Sequence, residues 1–280
     1  MIEADSPAKI NRFLFITAKR EDGYHELYTL FEKIDLKDRL CFRITRRPAG
    51  PGRPSLDIKG PAWFPEPGQN LIGKAASCFM EATGLALDIY VEVEKAIPAG
   101  GGLGGGSSNA ATTLKCLNEF AGNPLSRQEL MELAARLGAD VPFFLLPHRA
   151  AIGRGTGTEL EPIQVEPRWY LLVLPDFSVS TAWAYSNFKL TRHGNKTIFE
   201  PRELKAGRIW YNDLEKPVCG RFPLIETIKE RLMSCGAEAA VMSGSGSTVF
   251  GVFSTRQAAL QGQECIGGLG IKTCVAGSLV

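Results

Sequence analysis

Pro98-Ala99-Gly100-Gly101-Gly102-Leu103-Gly104-Gly105-Gly106-Ser107-Ser108-Asn109 is the stretch on which the reading of this chain turns. Ahead of it Leu87, Ile89, Val91 and Val93 alternate as in a half-buried strand, and after it Ala110, Ala111, Leu114 and Leu117 recur at helical spacing. The order is strand, glycine loop, helix. Dense glycine lets the backbone take positive φ and approach a ligand closely, while the first N–H groups of the following helix point back at the loop. Together with the positive end of the helix dipole, those donors suit a di- or triphosphate. A P-loop would need Gly-Lys-Ser/Thr, and here Ser107 follows Gly106 directly. A dinucleotide fingerprint can be laid on Gly100, Gly102 and Gly105, but so glycine-rich a run matches it by composition alone. The remaining alternative, a flexible linker, fits poorly between a strand and a helix that carries its own Ser and Asn start signals.

At 280 residues two domains are the natural expectation, and 44% hydrophobic with 22% charged residues is ordinary for a soluble globular protein. A net charge of +2 provides no bulk field for nucleic acid or an anionic membrane, so partners must be sought in local sites. Met1 leads into Ile2-Glu3-Ala4-Asp5, which is neither a secretory n-region nor a transit sequence, and no apolar run reaches membrane-spanning length. Seven scattered cysteines without a Cys-x-x-Cys pair predict reduced thiols, acting as small buried hydrophobes in a cytoplasmic protein. With His25, His148 and His193 far apart, a zinc site is not expected.

Along the chain, Phe13 to Ile16 reads as a buried strand from about Ser6 to Ala18. Arg20-Glu21-Asp22-Gly23 supplies a hairpin turn into a second strand, His25 to Ile34, and Leu40 to Thr45 reads as a third. Arg46 to Ser55 is a proline- and arginine-rich loop. Asn70 to Thr83 has the spacing of a core-facing helix stopped by Gly84, and Ser126 with Glu129 forms a capping box for a helix ending at Gly138. Ile152 to Pro167 is polar and irregular, placing a boundary between domains 1–160 and 161–280. Beyond it, setting aside a helix after Ser180-Thr181 and the connection holding Trp210, the predicted elements run β-α-β-β-α-β, the ferredoxin-like order.

Three further features join the glycine loop. Lys9 stands at the entrance to the first apolar strand, where a lysine either snorkels to the surface or serves a site. Asp140, in Ala139-Asp140-Val141-Pro142, lies at the edge of an apolar segment and suits either a helix cap or a catalytic carboxylate. Met242-Ser243-Gly244-Ser245-Gly246-Ser247-Thr248 is either a glycine hairpin or a second anion-contacting loop. If it folds over the first loop, a shared polyphosphate cleft results.

Taken in order, Pro7-Ala8-Lys9-Ile10-Asn11, Asp22-Gly23-Tyr24-His25, the glycine loop, Gly138-Ala139-Asp140-Val141-Pro142 and Met242 to Phe250 resemble the GHMP kinase superfamily. Within it they are similar to the branch whose alcohol substrate is 4-diphosphocytidyl-2-C-methyl-D-erythritol, a small molecule of the non-mevalonate isoprenoid pathway. The resemblance implies an α+β fold, with an N-terminal domain like the second domain of ribosomal protein S5, including a left-handed βαβ crossover, and a ferredoxin-like C-terminal domain. It implies phosphorylation of a tertiary 2-hydroxyl by ATP. Pro98, Ala99, Gly100, Gly101, Gly102, Leu103, Gly104, Gly105, Gly106, Ser107 and Ser108 would then wrap the ATP phosphates, with Lys9 and Asp140 as the catalytic pair.

By the same resemblance Tyr24 and His25 would read cytosine, by stacking and by edge pairing, and Asn11 would lie beside the reacting hydroxyl. Thr181, Tyr185, Ser243, Gly244 and Ser245 would complete the substrate contacts. Magnesium accompanies ATP chemistry, with no protein ligand evident beyond the hydroxyls of Ser107 or Ser108. Arg12 stands where an apolar residue is expected, which bears on the register of the first strand. The competing readings are a GHMP kinase for mevalonate, homoserine or a sugar, a dinucleotide-dependent oxidoreductase, and an RNA-binding module on the S5-like fold. Tyr24-His25 opposes the first, the successive opening strands oppose the second, and near-neutral charge opposes the third.

Overall fold

The computed structural model describes residues 1–47, 54–190 and 209–279, so most of the loop after Arg46 lies outside the described residues. They divide into two compact units, one of Met1–Ala8, Lys37–Ile97 and Gly104–Pro147, the other of Lys9–Leu36, Pro98–Leu103 and His148–Val280. The division passes through the first two strands, β1 (Ile2–Lys19) and β2 (His25–Arg46), which are longer than the sequence suggests. Their turn is the expected one: Gly23 N–H donates to Arg20 O at 3.2 Å and Arg20 N–H to Tyr24 O at 2.8 Å. The expected second and third strands are one, because the polar residues between them are paired rather than looped out. Asp35 Oδ1 accepts from Gly277 N–H at 2.8 Å, and buried Asp38 accepts from the backbone N–H groups of Ala96 and Ile97 at 2.9 Å each.

In the first unit the distal half of β2 pairs antiparallel with β4 (Leu87–Glu94), from Arg39 opposite Glu94 to Arg46 opposite Leu87. β3 (Leu56–Lys59) runs parallel to β4, with α1 (Leu71–Thr83) as the crossover between them. Asn70 caps α1 through its side chain and Gly84 ends it in the left-handed region, as the spacing predicts. Its face of Ile72, Ala75, Ala76 and Phe79 is buried and packs against α2 (Gly105–Phe120). α3 (Arg127–Leu137) carries the Ser126–Glu129 capping box, and the short α4 (Val141–Leu145) follows.

In the second unit the proximal half of β2 pairs with β5 (Ala150–Gly155), which pairs in turn with β6 (Glu159–Ile163). This hairpin occupies the stretch expected to be irregular. Its glycines masked the strand pattern, yet Gly153 is there to leave room: a Cβ at that position would stand 2.6 Å from the ring edge of Phe31. β8 (Tyr211–Asn212) adds to β1 in parallel, and Asp213 accepts from Ile16 N–H at 2.7 Å.

The second sheet has the order β11-β7-β10-β9, built from β7 (Trp169–Leu174), β9 (Ala239–Met242), β10 (Val249–Phe253) and β11 (Lys272–Gly277), all antiparallel. Apart from them stand α5 (Thr181–Asn187) and α6 (Glu215–Arg221). α7 (Leu224–Ser234) joins β7 to β9 in sequence after these, and α8 (Arg256–Ile266) joins β10 to β11. That is the ferredoxin-like arrangement, and its core gathers Leu171, Val173, Ile228, Leu232, Val249 and Phe253.

Arg12 and one pair of cysteines depart from expectation. Arg12 is fully buried without disturbing its strand: Nε donates to Glu32 Oε2 at 2.6 Å, Nη2 donates to Glu166 O at 2.5 Å, and the guanidinium lies 5.1 Å from the Trp210 ring centroid. Tyr170 Oη also donates to Glu32 Oε2, at 2.6 Å. The cysteines are not all thiols, since Cys235 at the end of α7 is bonded to Cys265 in the last turn of α8. Scattered positions 30 residues apart gave no sign of it, because the two helix ends converge only in the folded unit. Cys41, Cys78, Cys116, Cys219 and Cys274 are free. No helix among the described residues is long and apolar enough to cross a membrane.

Candidate active site

The glycine loop is anchored at both ends by the residues that flank it. Before it, Asp38 takes the N–H groups of Ala96 and Ile97 and forms a buried ion pair with Lys95. After it, α2 begins at Gly105 behind Gly104, whose φ of 69° no ordinary side chain adopts easily. Gly104 has no side chain with which to cap, so the opening donors of α2 are not closed off in the way Asn70 closes α1. Lys95, which sequence reasoning missed, brings its Nζ within 3.3 Å of where a Gly105 Cβ would stand. A cation therefore sits at the helix start expected to receive phosphate. Its only trace in the sequence is one lysine three positions before Pro98.

Three successive loop carbonyls are engaged. Thr248 N–H donates to Gly101 O at 3.2 Å, Ser243 Oγ to Gly102 O at 3.0 Å, and Lys9 N–H to Leu103 O at 2.9 Å. These bonds tie the first loop to the second and to β1. The contact is backbone-close: a Cβ on Gly102 would stand 2.0 Å from Ser243 O. The second loop is itself clamped by Asn212, whose Nδ2 donates to the carbonyls of Met242 and Gly244 at 2.7 Å each. Asn212 was hidden in a connection that the sequence left without structure.

Lys9 does not snorkel. It is 4% exposed, its Nζ donates to Asn11 Oδ1 at 2.7 Å, and it lies 5.5 Å from the Phe31 ring centroid. Gly244 closes over the pair, its notional Cβ being 3.4 Å from Lys9 Nζ and 3.5 Å from Asn11 Oδ1. Lys9, Asn11, Gly102, Ser243 and Gly244 are thus brought together. Asp140, in the other unit, is half-buried and precedes α4 with no side-chain bond to the helix start. The structure does not use it as a cap, although Pro142 stands in the first turn as expected.

Two of the expected nucleoside-reading residues lie together. His25 and Tyr185 face each other with ring centroids 5.3 Å apart, in a tilted pair. Partial burial, with the charge of Lys19, lowers the His25 pKa below its ordinary value, so the ring is neutral at pH 7 and can both donate and accept. Tyr24 is 66% exposed at the hairpin turn, an aromatic face open to a ligand. Thr181, at the first turn of α5, shares a hydrogen bond of 2.9 Å with Ser245 Oγ of the second glycine loop. Ser108 is fully buried and its Oγ accepts from Ser6 Oγ at 2.8 Å, whereas Ser107 is half-buried.

The GHMP kinases N terminal domain matches residues 70–148 and the GHMP kinases C terminal matches residues 202–271. A 4-diphosphocytidyl-2-C-methyl-D-erythritol kinase of Geobacter sp. (strain M21) is 41% identical over 259 residues, 91% of this chain and 90% of the relative. One of the same name from Syntrophus aciditrophicus (strain SB) is 39% identical over 274 residues, 95% of each chain. Among solved structures, a 4-(cytidine 5'-diphospho)-2C-methyl-D-erythritol kinase superposes with a TM-score of 0.83 at 33% identity, covering 99% of this chain and 98% of that one. A homoserine kinase from Cytophaga hutchinsonii, at 18% identity and a TM-score of 0.70, shares the fold alone. Identity at that level along nearly the whole length means that this chain belongs to the 4-diphosphocytidyl-2-C-methyl-D-erythritol kinase family of the GHMP kinases.

Proposed function

We propose that the protein transfers the γ-phosphoryl group of ATP to the 2-hydroxyl of 4-diphosphocytidyl-2-C-methyl-D-erythritol, a step of isoprenoid biosynthesis, in the cytoplasm. The observation that carries the catalytic assignment is the buried Lys9–Asn11 pair, roofed by Gly244 and joined through Leu103 to the glycine loop. Phosphoryl transfer asks little covalent chemistry of the protein, so alignment and charge neutralisation are its main tasks. Asp140 is the general base that takes the proton of the tertiary alcohol, and Lys9 stabilises the developing alkoxide. Residues Pro98 to Ser108, the start of α2 and Lys95 hold the β- and γ-phosphates. Tyr24, His25 and Tyr185 read the cytosine, while Thr181 and Ser245 hold the far side of the substrate.

Among the described residues no group of three or more His, Cys, Asp and Glu could hold a metal. Magnesium would be carried in on the phosphates with most of its water, with the half-buried Ser107 hydroxyl as its protein neighbour, and when bound it would neutralise charge on the ATP phosphates. The ATP-binding and catalytic domain is assigned to 1–160 and the ferredoxin-like domain to 161–280; the two family matches, falling on either side of residue 160, support this.

The test is ADP release from magnesium ATP with 4-diphosphocytidyl-2-C-methyl-D-erythritol. Asp140→Asn should lower kcat by about 10²- to 10⁴-fold, as loss of a general base does. His25→Ala should chiefly raise KM for the cytidyl substrate. If ADP release needs mevalonate, homoserine or a sugar instead, the kinase reading stands and the cytosine reading falls.

A further inference from the structure

The Lys9–Asn11 pair rests on a third residue that neither the sequence motifs nor the proposed mechanism uses. Thr29, fully buried on β2, donates its hydroxyl proton to Phe13 O at 2.6 Å, and it must be the donor because a carbonyl can only accept. Its oxygen is then left to accept, and it does so from Asn11 Nδ2 at 2.8 Å. With its amino group committed to Thr29, Asn11 has only its carbonyl oxygen to turn toward Lys9 Nζ, 2.7 Å away. The chain has one polarity from end to end: Lys9 to Asn11, Asn11 to Thr29, Thr29 to Phe13 O.

We infer that Thr29 is a positioning residue for phosphoryl transfer, acting through Asn11: its hydroxyl selects which end of the Asn11 amide faces the Lys9 ammonium. In the opposite orientation the amide would set an N–H₂ against the ammonium, donor against donor, and a carbonyl oxygen against a hydroxyl whose proton is already given away. Lys9 would lose the Asn11 oxygen as an acceptor. Asn and Gln amides are near-symmetric in shape, so only hydrogen-bonding neighbours can choose between the two orientations. The buried site provides this choice through one hydroxyl. Gly153 serves the same arrangement, since it lies opposite Thr29 across the β2–β5 pair and a Cβ there would press Thr29 Cγ2 at 3.1 Å and Phe31 at 2.6 Å.

The inference rests on the proposed roles of Lys9 and Asn11, and the experiment separates the two. Kinetics of ADP release and thermal unfolding are measured for Thr29→Val, Thr29→Ser, Asn11→Ala, the Thr29→Val/Asn11→Ala double variant and Lys9→Ala. Thr29→Val keeps the shape without the hydroxyl and should lower kcat about tenfold, the scale of one oriented hydrogen bond, with KM for ATP unchanged. Thr29→Ser keeps the hydroxyl without the methyl and should hold kcat within about twofold. A merely structural residue would lower the melting temperature of Thr29→Val while leaving kcat uncoupled from Asn11. In the Asn11→Ala background, Thr29→Val should cost nothing further.

An equal loss of kcat from Thr29→Val in both backgrounds, or a Thr29→Ser as slow as Thr29→Val, overturns the inference. Should Thr29→Val not fold, Thr29→Ala takes its place in the same cycle. If Lys9→Ala and Asn11→Ala keep full kcat, the catalytic reading itself has failed. If both are impaired and Thr29→Val is not, only the present inference has.

Discussion

Replacing Gly102 by alanine tests the loop-on-loop arrangement most directly. Gly102 has φ of 75°, and a Cβ there would stand 2.0 Å from Ser243 O and 3.1 Å from Gly246 O. The left-handed conformation alone costs a residue with a side chain about 1–2 kcal/mol. The overlap is with backbone, so no rotamer change relieves it, and the second loop must withdraw. Withdrawal breaks the Ser243 Oγ bond to Gly102 O and the Thr248 N–H bond to Gly101 O, each worth about 1 kcal/mol. The sum is about 3–4 kcal/mol.

Two neighbours calibrate that figure. Gly100→Ala meets the same left-handed cost, at φ of 68°, but its Cβ approaches only the exposed Ser178 side chain, at 3.0 Å, so about 1–2 kcal/mol is expected. Gly106→Ala needs no positive φ and meets nothing nearer than Leu71 Cδ1 at 3.6 Å; within α2 it should be neutral or stabilising by up to about 1 kcal/mol. Urea unfolding of the three variants gives the ranking, and KM for ATP should rise in the same order. A Gly102→Ala protein within about 1 kcal/mol of Gly106→Ala would refute the close approach of the two loops.

The lowered pKa of His25 predicts a pH dependence. Below about pH 6.5 an unfolded chain takes up the proton that folded His25 resists, so stability falls as pH drops through that value and is unaffected above it. Under the proposed function KM for the cytidyl substrate should be flat above pH 6.5 and rise below the lowered pKa, and His25→Gln should abolish the rise. Glu32→Gln removes the charge facing fully buried Arg12 and should destabilise by about 3–5 kcal/mol in urea unfolding; an Arg12→Met/Glu32→Gln pair should cost less than the single change. Cys235→Ser opens a loop of 30 residues and should destabilise by about 3 kcal/mol, with reductant then having no further effect on its unfolding.

Local chemistry was legible in the sequence wherever a residue's partner lies within a few positions of it. Ser126 and Glu129 form their capping box, Asn70 and Gly84 bound their helix, and Gly23 makes its turn, because those hydrogen bonds close within three or four residues. The β-α-β-β-α-β order was legible for the same reason, since each period of apolar residues belongs to one element. Partners far along the chain were not.

Asp35 and Asp38 read as a break between strands, and only Gly277 and Ala96–Ile97, brought alongside by folding, turn them into acceptors within one strand. The glycines of β5 read as irregular chain until Phe31 needs the space at Gly153. Arg12 read as misplaced until Glu32 and Trp210 surround it, and Cys235 read as a lone thiol until Cys265 arrives. The sequence by itself determined the motifs and hence the family, because a phosphate loop needs glycine at backbone positions whatever surrounds it. Only the tertiary structure decided what Lys9 points at. The acceptor, the hydroxyl behind the acceptor and the glycine that roofs them come from β1, β2 and the second loop, and no periodicity along one chain encodes a contact among three.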